Sequence, residues 1–375
     1  MGGPRGLAGR SEVPGAYQVR RPPLDHPSTS PGGGRVSAGL GFGLISAQRS
    51  PGDPRTWTDL YREALDLTAL AEQLGYRSVW TTEHHFIDDG YMASLLPMSA
   101  AMAARTSTIE IGTGVVLAPL HHPLRLAEDA AAVQLISDGR FTLGLGLGWM
   151  PVEFEALGAD LKRRGRAMDE ILTILPRAWS GRPFTHHGDV FSFPEIGVRP
   201  TPETPIPIVI GGGAEPAVRR AARMAQGFFS NASPAKLAEQ VAWATDELEK
   251  ADRDPAGFRW IYYTVMCPGA NRESAWERAR THVHAMRWKY GDMEPSANRS
   301  GELPHPPPLS DKDEDQLRKA TLLGTGADIA EQVAGIQDAV DVDLDIVARS
   351  YFPTMTFDEQ AEVMQQLAEE VAPLL

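Results

Sequence analysis

The sequence predicts an α/β fold, a (β/α)8 TIM barrel with insertions, on three observations. Short runs rich in β-branched and aromatic residues alternate with amphipathic helical stretches, eight such runs recur over about 335 residues, and no change of composition marks off a second block.

Residues 1–35, punctuated by Gly2-Gly3-Pro4, Pro22-Pro23 and Gly32-Gly33-Gly34, hold too little apolar surface to offset their ordering entropy and are expected to be a flexible Gly/Pro-rich tail. Residues 36–375 are expected to form the single barrel domain. Its first strand falls at 38–45, followed by an amphipathic helix over 57–74 that Gly75 ends and a strand over 77–81, one βαβ unit. A third strand covers 109–117 and its helix 124–137; Asp138-Gly139 then turns the chain into a fourth strand at 141–144, which runs out into Gly146 and Gly148. Helices near 151–157 and 165–179 precede a Pro-rich excursion, 183–207, with room for a small hairpin. Strand five at 208–210 runs into Gly211-Gly212-Gly213 and a helix opening at Glu215-Pro216, where the missing proline N–H costs nothing. Strand six at 227–230, a helix over 234–250, strand seven at 260–266, helices over 273–290 and 327–340, strand eight at 344–348 and a helix over 357–371 complete the chain. The Pro-rich segment 291–309 interrupts the last third and is expected to be a lid-like insert over a substrate.

The net charge of −13 supplies no clustered positive field for a phosphate backbone, which argues against nucleic acid and leaves small molecules as partners. No run reaches the roughly 18–20 apolar residues that span a bilayer, and Cys267 is the only cysteine. Neither a membrane span nor a disulfide framework is therefore expected, the chain reads as cytoplasmic, and the Cys267 thiol reads as inert core.

The most informative stretch is Thr81-Thr82-Glu83-His84-His85-Phe86, which follows the apolar Ser78-Val79-Trp80. A strand that ends at ionisable groups delivers them to the C-terminal mouth of a barrel, where such folds do their chemistry, and imidazole titrates near neutrality. Adjacent histidines also occur incidentally. A metal is not expected, because neighbours on a strand point to opposite faces and converge poorly on one ion; His282 and His284, two apart in a helix, do no better, and His121-His122 and His186-His187 fall in loops. Gly211-Gly212-Gly213 before a helix start is either a tight turn or a phosphate cradle, since glycine lets an anion approach the free N–H groups of a helix N-terminus. Gly144, Gly146 and Gly148 on alternate positions leave space that could admit a flat ring; their spacing is not that of a dinucleotide fingerprint.

In order and spacing these stretches resemble the bacterial luciferase-like flavin monooxygenase superfamily over nearly everything from residue 38 onward. The matching runs are Gly-Tyr-Arg-Ser-Val-Trp-Thr-Thr-Glu-His-His-Phe at 75–86, Ala-Arg-Thr-Ser-Thr-Ile-Glu-Ile-Gly-Thr-Gly-Val-Val-Leu at 104–117, His-Pro-Leu-Arg-Leu-Ala-Glu at 122–128 and Ser-Asp-Gly-Arg-Phe at 137–141. Gly148-Trp149, Glu153-Phe154, Pro-Ile-Val-Ile-Gly-Gly-Gly at 207–213 and Leu-Gly-Thr at 323–325 follow. The resemblance implies a barrel, usually dimeric, with a flavin or deazaflavin held over its C-terminal mouth. It implies that His84 lies beside the reactive edge of the flavin with Glu83 and His85 as motif neighbours, and that Gly211, Gly212, Gly213 and Ala214 form the phosphate-binding turn. It also implies a non-prolyl cis peptide at Gly114-Val115, bulging beneath the ring. Where luciferases proper carry a reactive cysteine after strand four this chain has Gly146, and Leu147 replaces a neighbouring phosphate-contacting arginine, so light emission is not implied.

The function so implied is a monooxygenase that takes reduced FMN from a separate flavin reductase, there being no nicotinamide fingerprint, and oxygenates a small organic substrate through a flavin C4a-peroxide, with His84 assisting proton transfer. The first alternative is an F420-dependent hydride-transfer enzyme of the same superfamily. The second is a flavin-binding protein without turnover.

Overall fold

In a computed structural model, residues 39–375 are described; the tail expected at 1–35 lies outside the described residues. Eight parallel strands form the barrel: β1 Gly41–Ile45, β2 Ser78–Thr81, β3 Glu110–Thr113, β4 Phe141–Gly146, β5 Ile208–Gly211, β6 Gly227–Ser230, β7 Arg259–Pro268 and β8 Leu344–Arg349. Each pairs with the next, and β8 returns to β1 with Gly43 opposite Arg349, so the sheet closes. All eight stand where the sequence predicts them.

The helices are α1 Trp57–Gln73, α2 Leu95–Arg105, α3 Pro123–Ser137, α4 Pro151–Ala156, α5 Arg164–Trp179, α6 Glu215–Met224, α7 Pro234–Lys250, α8 Arg272–Ser296, α9 Asp311–Lys319, α10 Gly326–Gln337 and α11 Phe357–Gln366. The start of α1 is fixed by a capping box, in which Thr56 and Asp59 each bond the other's backbone N–H. The end of α3 is fixed by Asp138 and Gly139, both in the left-handed region. The hairpin expected in the Pro-rich excursion is present as Phe184–His187 paired with Ser192–Ile196. Among the described residues no helix is long and apolar enough to cross a membrane.

Three elements differ from the sequence reading. Helix α2 is not marked by an amphipathic stripe, because Leu95, Leu96, Met98, Ser99, Met102 and Ala103 are all buried and Pro97 sits in the first turn. Helix α9 has no buried residue, so it carries no apolar signal at all, and the short strand Thr321–Gly324 after it adds to the outside of β7. Helix α8 runs through Gly291 and Pro295 to Ser296, so only 297–310 of the segment expected to be a lid is irregular. Pro295 removes one intrahelical N–H donor, and the helix ends one residue later.

Alternation along the strands sorts side chains into a barrel interior and an outer layer under the helices. Trp80, Val209, Phe229, Ile261 and Val347, with Leu44, form a separate buried cluster, whereas Val79, Ile208, Phe228, Trp260 and Ile346, each beside one of them in sequence, belong to the larger core outside. Trp80 fills the interior at the expense of Gly112, where a Cβ would collide with the indole, and its N–H donates to Ser78 Oγ at 2.9 Å. Below this cluster the inward positions at the N-terminal ends of four strands are polar. Arg259 on β7 grips both Glu110 oxygens on β3, at 2.6 and 2.9 Å, and also pairs with Asp345 on β8. Thr142 on β4 donates to Glu110 at 2.6 Å, and Arg77 reaches Asp345 from outside.

Burial alone would raise the Glu110 carboxyl, but Arg259 outweighs it and holds the group below the usual carboxylate range. A depressed folded value means stability that is present above the unfolded value of about 4.3 and is lost as pH falls through the folded one. We expect Arg259→Ala, which strands two carboxylates, to cost about 3–5 kcal/mol in urea unfolding at neutral pH. The deficit should shrink toward acidic pH as Glu110 protonates; a pH-independent deficit would contradict this account.

Candidate functional site

Strand β2 stops at Thr81, and residues 82–86 leave the barrel mouth without regular structure. Their backbone is laced to the loop after β1: Thr82 N–H donates to Ile45 O at 3.2 Å, Met92 N–H to Ser46 O at 2.9 Å, and His84 N–H to Met92 O at 3.2 Å. Phe86 takes a left-handed turn, with φ of 63°. The loop is held by both strands and its side chains have fixed directions.

Those directions alternate. Glu83 and His85 share one side, with His85 Nε2 2.9 Å from Glu83 Oε1, while His84 faces the other. Glu83 is 2% and His84 5% exposed, too buried for a carboxylate or imidazole without partners. Glu83 also accepts the Leu117 N–H at 3.4 Å and lies 3.6 Å from His121 Nε2. Burial pushes Glu83 upward, but His121 and His85 more than offset it and hold the carboxyl low. Burial likewise lowers His85, and Glu83 overrides it, so the imidazole is raised above its ordinary value.

His84 meets a residue that the sequence reading noted only as part of a matching run. Glu153, fully buried on α4, accepts the His85 N–H at 2.8 Å with the same oxygen that lies 3.2 Å from His84 Nδ1. Its second oxygen is buried without a partner among the described residues. A proton on Nδ1 shared with this carboxylate leaves Nε2 as an acceptor. Around the ring stand Tyr91, Trp149 and Tyr290, all edge-on, with centroids at 5.0, 6.2 and 6.0 Å. The advance signal for Glu153 was its place in the matching run Glu153-Phe154, which did not reveal what it faces.

The Gly114-Val115 peptide is cis, as the resemblance implied; Gly43-Leu44 and Arg199-Pro200 are cis too, which it did not. Val115 is half-buried at the mouth and explains the glycines around it. A Cβ on Gly146 would collide with Val115, one on Gly211 would come within 2.8 Å of it, and one on Gly114 within 2.9 Å of the Phe229 ring. The space expected beside Gly144 and Gly146 is thus taken up by the chain itself: Thr113 O closes on Gly144 and the Val115 side chain on Gly146. Val115, rather than the glycines, presents a surface to the mouth.

Beyond β5, Gly212, Gly213 and Ala214 are exposed and no Cβ neighbour crowds Gly213. Ala214 caps α6 without a side-chain acceptor, and the Gly213 and Ala214 N–H groups donate to none of the described residues. Such orphan donors at a helix N-terminus suit an anion.

On the other side of His84 a cleft opens between the loops after β1 and β8 and helix α8. Ser46, Asp89, Tyr91, Tyr290, Met293 and Arg349 are among its lining, and Leu303, Pro304 and Pro306 from the irregular part of the expected lid close one edge. Burial lifts Asp89 to about 6, against the pull of Lys289 and Gln48. Of the remaining histidines, His186 pairs with Glu170 and His284 with Pro307 O outside the cleft, whereas His282, paired with Thr354, is part of the cleft wall. Among the described residues no three His, Cys, Asp or Glu are grouped to hold a metal ion. Cys267 is buried, and burial pushes its thiol up to about 11.

A family model described as luciferase-like monooxygenase matches residues 22–342. Over 163 residues the chain is 31% identical to the oxygenase component of the flavin-dependent trigonelline monooxygenase of Acinetobacter baylyi, covering 43% of this chain and 45% of that protein. It is 32% identical over 201 residues to an F420-dependent glucose-6-phosphate dehydrogenase of Microbacterium testaceum, covering 51% and 60%. The chain thus spans about half the length of the curated relatives it matches. In fold it is similar to a monooxygenase from Streptomyces bottropensis, with a TM-score of 0.76 and 22% identity over 89% of this chain and 99% of the other.

Two outcomes are expected from this geometry. Gly146→Ala should destabilise the chain by about 1–3 kcal/mol through overpacking. Adding Val115→Ala should recover most of that loss in a double-mutant cycle, and additivity would refute the contact. In an NMR titration His85 should hold its proton above pH 6.5, the ordinary value, and Glu83→Gln should bring it down.

Proposed function

The chain belongs to the luciferase-like monooxygenase family, and from that premise we propose that it is the oxygenase half of a two-component flavin enzyme. In this reading it takes reduced FMN from a separate reductase and uses O2 to oxygenate a small organic substrate. The observation that carries it is the buried His84, set against Glu153 and ringed by Tyr91, Trp149 and Tyr290, between an anion cradle on one side and an apolar cleft on the other.

The residues present fit a flavin. Orphan N–H groups at Gly213 and Ala214 suit its phosphate, and half-buried Val115 offers an apolar seat for its ring at the mouth. When bound, reduced flavin supplies the electrons that activate O2. The chain does the rest. His84 takes or gives a proton at Nε2 while Glu153 holds Nδ1, and the aromatic ring of side chains keeps water from that nitrogen. His85, bonded to Glu83, faces away and serves to fix the loop. The relative named as an oxygenase component supports the separate reductase.

One observation favours a second reading. The relative named as F420-dependent is matched over the larger share of its length, and in an F420 enzyme the same His84 would manage the proton that accompanies hydride transfer.

Titration of the purified protein with reduced FMN and with F420 separates the two: oxygen uptake with FMN is expected, and tight F420 binding without oxygen uptake would overturn the FMN reading. His84→Ala should retain flavin affinity and lower turnover by about 10²- to 10⁴-fold. Flavin binding with no change in oxygen uptake or conversion would instead mark a carrier without turnover.

A further inference from the structure

Strand β8 ends at Arg349. Asp345, Val347 and Arg349 lie on alternate positions, so the face that carries Asp345 into the ionic layer and Val347 into the interior cluster carries Arg349 to the mouth. There the half-buried guanidinium lines the cleft, 5.9 Å from the centre of the Tyr263 ring. It is paired with no carboxylate and donates no hydrogen bond to the described residues.

No carboxylate of the cleft is left to meet it. Asp88 is held by Lys289 and, at 2.9 Å, by Arg299; Asp292 is held by Arg299 at 2.8 and 2.9 Å and by Lys289 at 3.4 Å. Asp89 accepts from Gln48 at 2.7 Å and from the Tyr91 N–H at 3.1 Å, with Lys289 at 3.8 Å. The other guanidinium on the cleft wall, Arg49, donates to Asp53 O at 2.9 Å and lies over Trp57, its Nε buried without a partner among the described residues. Arg349 is therefore a partly desolvated cation with its planar fork free, a group that gains most from a bidentate oxyanion.

The space before it is lined by flat and flexible apolar groups, Tyr91, Tyr290, Tyr351, Met286 and Met293. Two of these, Tyr91 and Tyr290, are the rings that touch His84. Arg349 and these two rings line the same cleft.

We infer that the cleft takes an organic anion: a carboxylate seated on Arg349, joined to a flat, largely apolar body that extends between Tyr91 and Tyr290 toward His84. This names the substrate class for the proposed oxygenase and rests on that reading for the reaction, though not for the binding.

The test uses the full chain and two probes of one shape, para-fluorobenzoate and its neutral analogue para-fluorobenzamide, followed by fluorine NMR. The acid should bind at least about tenfold more tightly than the amide, a difference of about 1.4 kcal/mol. Arg349→Gln should erase the preference, and Arg349→Lys, which keeps the charge but not the fork, should retain part of it. FMN affinity, read by fluorescence on the same three proteins, should not change. Equal binding of acid and amide, or no binding of either, overturns the inference; so does a loss of FMN affinity in Arg349→Gln as large as the loss of acid affinity, which would assign the guanidinium to the flavin. If the wild-type chain prefers the acid but binds no FMN, the flavin reading fails and the anion site stands.

Discussion

The barrel depends on how its narrow end is closed. Inward-pointing positions at the starts of β3, β4, β7 and β8 converge there, and Arg259, Glu110, Asp345 and Thr142 fill them with a connected set of charges and hydrogen bonds. A half-buried ionic group of this kind adds little raw stability, because desolvation consumes much of the Coulombic gain. Its contribution is geometric. A bidentate Arg259–Glu110 pair across the barrel admits one register between strands far apart in sequence, and the apolar cluster of Trp80, Phe229 and Ile261 is stacked on that layer. The mouth, in turn, sits on the cluster.

The same stacking delivers the site. Alternation from Ser78 upward sends Trp80 inward, and the loop beyond it, tied to β1 by backbone bonds, sends His84 to one side and Glu83 with His85 to the other. Helix α4 then brings in Glu153, which bonds the backbone of one histidine and faces the ring of the next, so one carboxylate locates two consecutive residues. A loop organised in this way carries an imidazole with little freedom left to lose, which is what a proton-handling group needs.

Much of this was legible in the sequence, and the reasons differ from part to part. The eight strands were readable because each is a short β-branched or aromatic run bounded by turn residues, and the split between His84 and its neighbours follows from strand alternation alone. Helices α2 and α9 were not readable, since one is apolar on most sides and the other buries nothing, and periodicity is silent in both cases. Helix α8 passes a glycine and a proline that normally signal an end, because its buried face, down to Met293 and Ser296, continues beyond them. Glu153 and Arg349 were missed for a different reason. What makes them matter is who stands opposite, or that nobody does, and such long-range pairing is set by the closed barrel and leaves no local pattern. The glycines after β4 were recognised as space, but the occupant of that space, Val115, comes from another strand.

That occupant has a consequence for how the chain can change over time. Positions 114 and 115 lie just past β3, and 146 and 211 end β4 and β5, yet Gly146 and Gly211 are fitted to the Val115 isopropyl group and Gly114 to the Phe229 ring. Neither Gly146 nor Gly211 can acquire a side chain while Val115 keeps its size, and Gly114 cannot while Phe229 keeps its ring in place. Descendants of this sequence are thus confined to moving these positions together or not at all.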